Sequence, residues 1–295
     1  PLFPEIDADI PFAEAKDKVR EGLRPLGQEY LKVLEQGFSN RWIDIYENEG
    51  KTSGAYSWGT YSSHPYVLLN YQNTLDSLFT LAHEMGHALH SYFSNKNQPH
   101  LYAGYKIFVA EVASTLNESL VMKHLIDTTE DPKKKAYLIN HYLEQFRGTV
   151  FRQTMFAEFE KIIHAAVEKN ESLTAETLCH IYRELNLKYF GPDVVVDEQI
   201  NIEWARIPHF YNAFYVYKYA TGFSAAIALS QQILQEGGPA VKRYLDFLSS
   251  GGSDYPIELL RRAGVDMEKP EPVRQALDVF SDLLDQLDDL IDKKC

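Results

Sequence analysis

Apolar residues recur every three to four positions from Phe12 to about Gln36, at Phe12, Ala15, Val19, Leu23, Leu26, Tyr30, Leu31 and Leu34. This spacing lines one face of a helix. Pro25 and Gly27 fall inside the pattern, so an interruption near them is expected, because proline removes a backbone donor and glycine weakens a helix interior. Residues 1–13 read as an extended lead-in, since Pro1, Pro4 and Pro11 each disfavour helix at the residue before them. The texture changes in WIDIYENEGKTSGAYSWGTYSSHPYVLLNY, which is rich in Gly, Ser, Tyr and β-branched residues. Two or three short strands are expected there. After Asn73 the helical period returns and predicts helices near 75–94, 105–127, 132–169, 174–189, 209–235, 238–249, 256–263 and 271–292. Loops fall at SNKNQPH, DTTEDP, GPDVVVDEQ, EGGP and SSGGSD. The expected fold class is mainly α, with a small β-sheet near residues 43–72, as a single domain over 1–295.

The helix near 75–94 carries FTLAHEMGHALH. Residues four apart lie on one face of a helix, so His83 and His87 direct two imidazoles to one point, as a tetrahedral metal requires. Glu84 sits about 100° round the helix, where a carboxylate reaches a metal-bound water and serves as general base. Asn73 or Thr74 is placed to cap this helix, and Leu75, Leu78, Phe79, Ala82, Met85 and Leu89 supply its buried stripe. Gly86 costs about 1 kcal/mol against alanine in a helix interior, which suggests a backbone packed closely against it.

A catalytic metal commonly takes three protein ligands, and His90, His100, Glu111, Glu118 and His124 are the downstream candidates. His90 lies a further turn along the same helix, and His100 is beside a proline. Glu111 stands among Val109, Ala110, Val112 and Ala113, on a helix whose small residues permit close approach to Gly86. Glu111 is assigned as the third ligand, and Glu118, two turns on, as an acid that orients a ligating histidine.

Composition narrows the function classes. The chain has 295 residues, with 42 acids against 29 lysines and arginines and a net charge of −13. It has no global attraction for nucleic acid or an anionic membrane surface. Its two cysteines, Cys179 and Cys295, make no disulfide framework, and a reducing cytoplasm is the expected setting. No apolar run approaches the roughly 18–20 residues of a membrane span.

HEMGHALH followed by FVAEVASTLNE, preceded by GKTSGAYSWGTYSSHPYVLLNYQNTLDSLFTLA, resembles the thimet-oligopeptidase-like zinc metallopeptidases, in their bacterial oligoendopeptidase branch. The resemblance implies a multi-helical zincin-type catalytic domain holding one Zn²⁺ on His83, His87 and Glu111. It implies a zinc-dependent endopeptidase acting on oligopeptides, with Glu84 as general base on a zinc-bound water. It further implies that residues of IPHFYNAFYVYKYATG, of which His209, Tyr219 and Tyr215 are favoured, hold the tetrahedral intermediate. The strand within SGAYS, with Gly54, Ala55 and Tyr56, would pair with the substrate backbone, and His64 would touch the substrate. Members are about twice this length, so the chain is expected to be the catalytic half, with its own N-terminal helical half as a partner. The alternative is a catalytically inactive peptide-binding fragment or scaffold that keeps the metal site.

Overall fold

The computed structural model describes residues 9–292, so residues 1–8 of the expected lead-in lie outside the described residues. Residues 9–11 are extended, and the Ile10 N–H donates to the Asn73 carbonyl at 2.7 Å. Helix α1, Phe12–Gly22, and helix α2, Gly27–Ser39, are separated by a 3-10 turn at Arg24–Leu26. The break falls at Pro25, where the pattern placed it. Strands β1, Ile43–Asp44, β2, Tyr56–Trp58, and β3, Tyr66–Leu68, follow. They form a sheet of order β1-β3-β2, with β1 parallel and β2 antiparallel to β3, and Ser57 pairs with Val67. The strand expected over 53–57 is therefore displaced to 56–58. Gly54 adopts φ +87 in the bend before it, and glycine pays no Cβ penalty in that region.

The helices that follow are α3, Leu75–Asn97, a short α4, His100–Ala103, α5, Ile107–Thr128, and α6, Pro132–Phe146. Then come α7, Arg152–Glu168, α8, Ala175–Phe190, α9, Tyr217–Glu236, α10, Gly238–Leu248, α11, Pro256–Ala263, and α12, Glu271–Asp292. Two expectations need correction. The continuous helix at 132–169 contains a π-helical turn at Arg147–Phe151, an insertion that hydrophobic spacing does not reveal. The helix expected from 209 starts only at Tyr217, after a 3-10 turn at Pro208–Tyr211. Phe214 adopts φ +57, which no right-handed helix can pass, and its N–H donates at 2.9 Å to the buried Glu160 carboxylate.

Contacts divide the chain into two compact units, one up to Leu143 and again from Gly222, the other Glu144–Thr221. In the first, α3 is buried on nearly every side and packs along α5 through Leu78, Ala82, Met85, Leu89, Val112, Leu116 and Leu120. Burial of each such side chain contributes about 1.5–3 kcal/mol. A polar relay runs through this core: Tyr30 donates to Asn117 Oδ1 at 2.8 Å, and Asn117 Nδ2 donates to the Ala82 carbonyl at 3.1 Å. The second unit has its own aromatic core of Phe156, Phe159 and Tyr182 with Leu185 and Val216. Within it Glu203 accepts from Tyr182 and from Arg152, each at 2.6 Å, and also from Arg206. Burial opposes the Glu203 charge, but these hydrogen bonds outweigh it and hold the carboxyl below its usual range.

Candidate metal centre

Helix α3 begins at Thr74, whose hydroxyl accepts from the Ser77 N–H at 3.1 Å, and Asp76 favours the positive end of the helix dipole. Of the two capping residues considered, Thr74 caps; Asn73 sits at φ +58 and ties its side chain to Asp9. From this fixed start the helix carries His83 and His87 side by side, with ring centroids 4.8 Å apart. Gly86 explains how α5 reaches them. A Cβ added there would lie 2.6 Å from Ser114 Cα and 2.7 Å from the Ala113 carbonyl oxygen, so only glycine lets the two backbones approach this closely.

That approach delivers Glu111. Its Oε2 lies 3.3 Å from His83 Nε2 and 3.4 Å from His87 Nε2, and donor atoms of the three residues all fall within 4.8 Å of one another. Ser114, one turn along α5, donates to the same Oε2 at 3.0 Å. The far nitrogen of His83, Nδ1, meets Glu118 Oε1 at 2.6 Å. A carboxylate on Nδ1 fixes the tautomer that turns the Nε2 lone pair toward Glu111. Among the described residues, His83, His87 and Glu111 are the His, Cys, Asp and Glu group close enough to share a metal ion. His90, His100 and His124 are not in it.

The electrostatics follow from crowding two acids around two imidazoles. Burial disfavours a charged His83, yet its hydrogen bonds with Glu111 and Glu118 outweigh that and push its pKa well above the ordinary value. Burial likewise opposes ionised Glu111, and the bonds to His83 and His87 overcome it and hold this carboxyl well below the usual range. A proton on His83 Nε2 thus takes the direction in which a metal would be held, and a metal must displace it. Glu84 is different: burial is its dominant influence and raises its pKa, with the two histidines pulling the other way. It is buried, and its Oε2 has no hydrogen-bond partner within the protein. A buried, unpaired carboxylate oxygen costs free energy, which is characteristic of groups kept for chemistry. Two imidazoles, a carboxylate and an idle acid beside them fit a zinc-type ion with one position left for another ligand.

His90 packs face to face on Tyr105 at 3.7 Å, and burial with the neighbouring His87 pushes its pKa down to about 3. It is a neutral core ring.

The remaining site candidates separate into two groups. In the first unit, Gly54 and Ala55 line a cavity of about 360 Å³ with Asn70, Ser77 and Thr80, and Asn70 donates to the Gly54 carbonyl at 2.8 Å. Tyr56 is half exposed on β2, while His64 stacks on Trp42 and meets Tyr66 at a tilt, with Nδ1 2.7 Å from the Pro65 carbonyl. In the second unit the structure brings His209, Tyr215 and Tyr219 together, with Tyr219 OH 3.3 Å from His209 Nε2 and the tyrosine rings 5.7 Å apart. Tyr211 of the same stretch is 89% exposed and outside this cluster. Sequence reasoning missed Ser114 as a holder of Glu111 and Asn117 as the link between α5 and α3. A polar residue every third or fourth position of α5, facing the ligand helix, was the available signal.

The family model described as Peptidase family M3 matches residues 9–279. Oligopeptidase PepF of Bacillus subtilis is 54% identical over 293 residues, covering 99% of this chain and 44% of that protein. A crystal structure from Chlamydophila abortus is 46% identical with a TM-score of 0.91, covering 98% of this chain and 49% of that one. The crystal structure of oligoendopeptidase-F from Enterococcus faecium is 41% identical with a TM-score of 0.75, covering 97% and 44%. The chain spans a little under half the length of these proteins.

Proposed function

Because the chain belongs to peptidase family M3, we propose that it acts as a zinc-dependent endopeptidase on oligopeptides, with His83, His87 and Glu111 holding the metal. The observation that carries this reading is the buried Glu84, with one oxygen unpaired, next to a three-donor cluster. Zinc bound by such a set supplies a Lewis acid that polarises a peptide carbonyl and acidifies a coordinated water. Glu84 takes the proton of the attacking water and returns it to the leaving amine. Its burial and its one unpartnered oxygen leave the carboxylate free to accept a proton and then donate it. Glu118 holds the His83 ring, and Ser114 holds Glu111, so that the two do not reorganise during turnover.

Strand β2 supports an extended substrate. It is an edge of the sheet, and an edge strand can pair with an extended peptide, which would give binding tolerant of sequence. His209 and Tyr219, with Tyr215 beside them, are assigned to the tetrahedral intermediate on the strength of the family resemblance; loss of rate with unchanged zinc content in His209→Ala and Tyr219→Phe is the expected result.

Hydrolysis of a blocked oligopeptide, followed before and after chelation and in Glu84→Gln, tests the reading. The expected outcome is cleavage of internal bonds, loss on chelation, recovery with zinc, and a fall of about 10²–10⁴-fold in Glu84→Gln. Stoichiometric zinc with intact peptide in the wild-type chain would make it a peptide-binding scaffold instead.

A further inference from the structure

We propose that the cavity where the end of β2 crosses α3 is a subsite for a tyrosine side chain of the substrate, and that its occupancy sets which peptide bond is cut. The proposal rests on the peptidase reading above. The cavity measures about 430 Å³ and lies between Ser57 and Trp58 of the strand, Ser91 and Asn95 of α3, and His100 of α4 with Gly104 just after that helix.

Its position follows from how the strand lies on the helix. At one end Ala55 shares a cavity with Thr80 of α3. At the other, a Cβ added to Gly59 would lie 2.5 Å from Ser91 Cβ. The strand therefore runs alongside α3 from Thr80 to Ser91, and His83 and His87 fall between these ends. Ser91 is one turn beyond His87, about 6 Å along the axis. An extended peptide advances about 3.3 Å per residue. A peptide paired to β2, with its scissile carbonyl at the histidines, thus places a side chain one or two residues away into this cavity.

The lining decides which side chain. Trp58 is 66% exposed and Tyr61 40%, and with His100 and Tyr105 they offer aromatic faces at the cavity wall. Aromatic pairs favour edge and offset contacts of the kind Tyr61 and His100 already make at 5.1 Å. Polar atoms are also present: Ser57 Oγ is buried with no partner, and Ser91 Oγ and Tyr105 OH are 3.0 Å apart. Among the described residues, no carboxylate, lysine or arginine lines the cavity. A charged side chain would lose its hydration there without gaining a partner, whereas a phenol finds both ring surface and hydrogen bonds.

Gly104 provides the test. It has φ −75, which any residue adopts, and a Cβ added to it meets no atom within 4 Å. Gly104→Leu therefore fills space at the cavity wall without displacing backbone. The probes are blocked alanine-rich octapeptides carrying one tyrosine at each position in turn, with aspartate and lysine series for comparison. In the wild-type chain the tyrosine should raise kcat/KM by about 10-fold or more over alanine, and mass spectrometry should find the cut at a constant offset from it. Aspartate and lysine should give no such gain. In Gly104→Leu the advantage should fall to within about 2-fold and the cuts should scatter, with the thermal midpoint retained. The same peptides are titrated calorimetrically against Glu84→Gln, where tyrosine should tighten binding by about 10-fold. Cuts unrelated to tyrosine, equal binding of the tyrosine and alanine peptides by Glu84→Gln, or an undiminished preference in Gly104→Leu would each overturn the subsite. Absence of hydrolysis by the wild-type chain would count against the peptidase reading, and the binding comparison would still decide the subsite.

Discussion

Glu118 touches the centre only through His83, yet its 2.6 Å contact with Nδ1 determines which ring nitrogen faces Glu111. Groups that orient a ligating histidine in this way typically contribute 10- to 100-fold in metal affinity. Glu118→Ala is therefore expected to weaken zinc binding by about that factor, read by competition with a chromophoric chelator, with secondary structure unchanged. Glu203 gives a prediction in the second unit. Its pKa is depressed in the folded state, so its stabilising effect is complete above the ordinary glutamate value of 4.5 and is lost as pH falls through the lower folded value. Glu203→Gln, which removes one partner of a buried charge network, should lower stability at neutral pH by about 3–5 kcal/mol. Thermal unfolding across pH should show the gap between variant and wild type closing below about pH 4.5. The place of Glu111 beside the two histidines was legible because an acid amid Val109, Ala110, Val112 and Ala113 stands out from its apolar neighbours. Asn117 and Glu203 were not, since their partners lie far away in sequence and periodicity carries no information about them.

At the scale of elements, the centre exists because α3 and α5 run in near backbone contact. Gly86→Ala tests this directly. The added methyl meets Ser114 Cα and the Ala113 carbonyl, neither of which is the end of a flexible side chain, so the helices must part. A cost of about 1–3 kcal/mol in stability is expected from overpacking. Because the histidines ride on one helix and Glu111 on the other, zinc affinity should fall along with the thermal midpoint; a variant that loses stability but keeps full affinity would mean the helix spacing does not set the ligand geometry. The helices themselves were readable where the apolar period was clean, as in α2 and α12. It failed at two places. The π turn at Arg147–Phe151 adds a residue without altering the average spacing of apolar positions. The stretch before Tyr217 reads as helix, but a buried carboxylate binds the Phe214 N–H and holds that residue at φ +57. Tertiary hydrogen bonding there overrides local preference.

On the scale of the molecule, the sheet is small and the helices carry the structure, with no helix among the described residues long and apolar enough to cross a membrane. The first unit contains the clustered His83, His87 and Glu111 and both strand-lined cavities, in a chain that covers 44% of the Bacillus subtilis relative's length. Unequal legibility follows from this arrangement. The clustering of His83, His87 and Glu111 could be read from two short motifs, whereas the cavities arise from strand and helix segments whose approach only the folded chain reveals. The central claim is that His83, His87 and Glu111 form one zinc site. Zinc titration of the metal-stripped chain, wild type beside Glu111→Ala, tests it most directly. The account predicts one tightly held zinc per wild-type chain and affinity at least about 100-fold weaker in the variant; a variant that retains one zinc at wild-type affinity would contradict it.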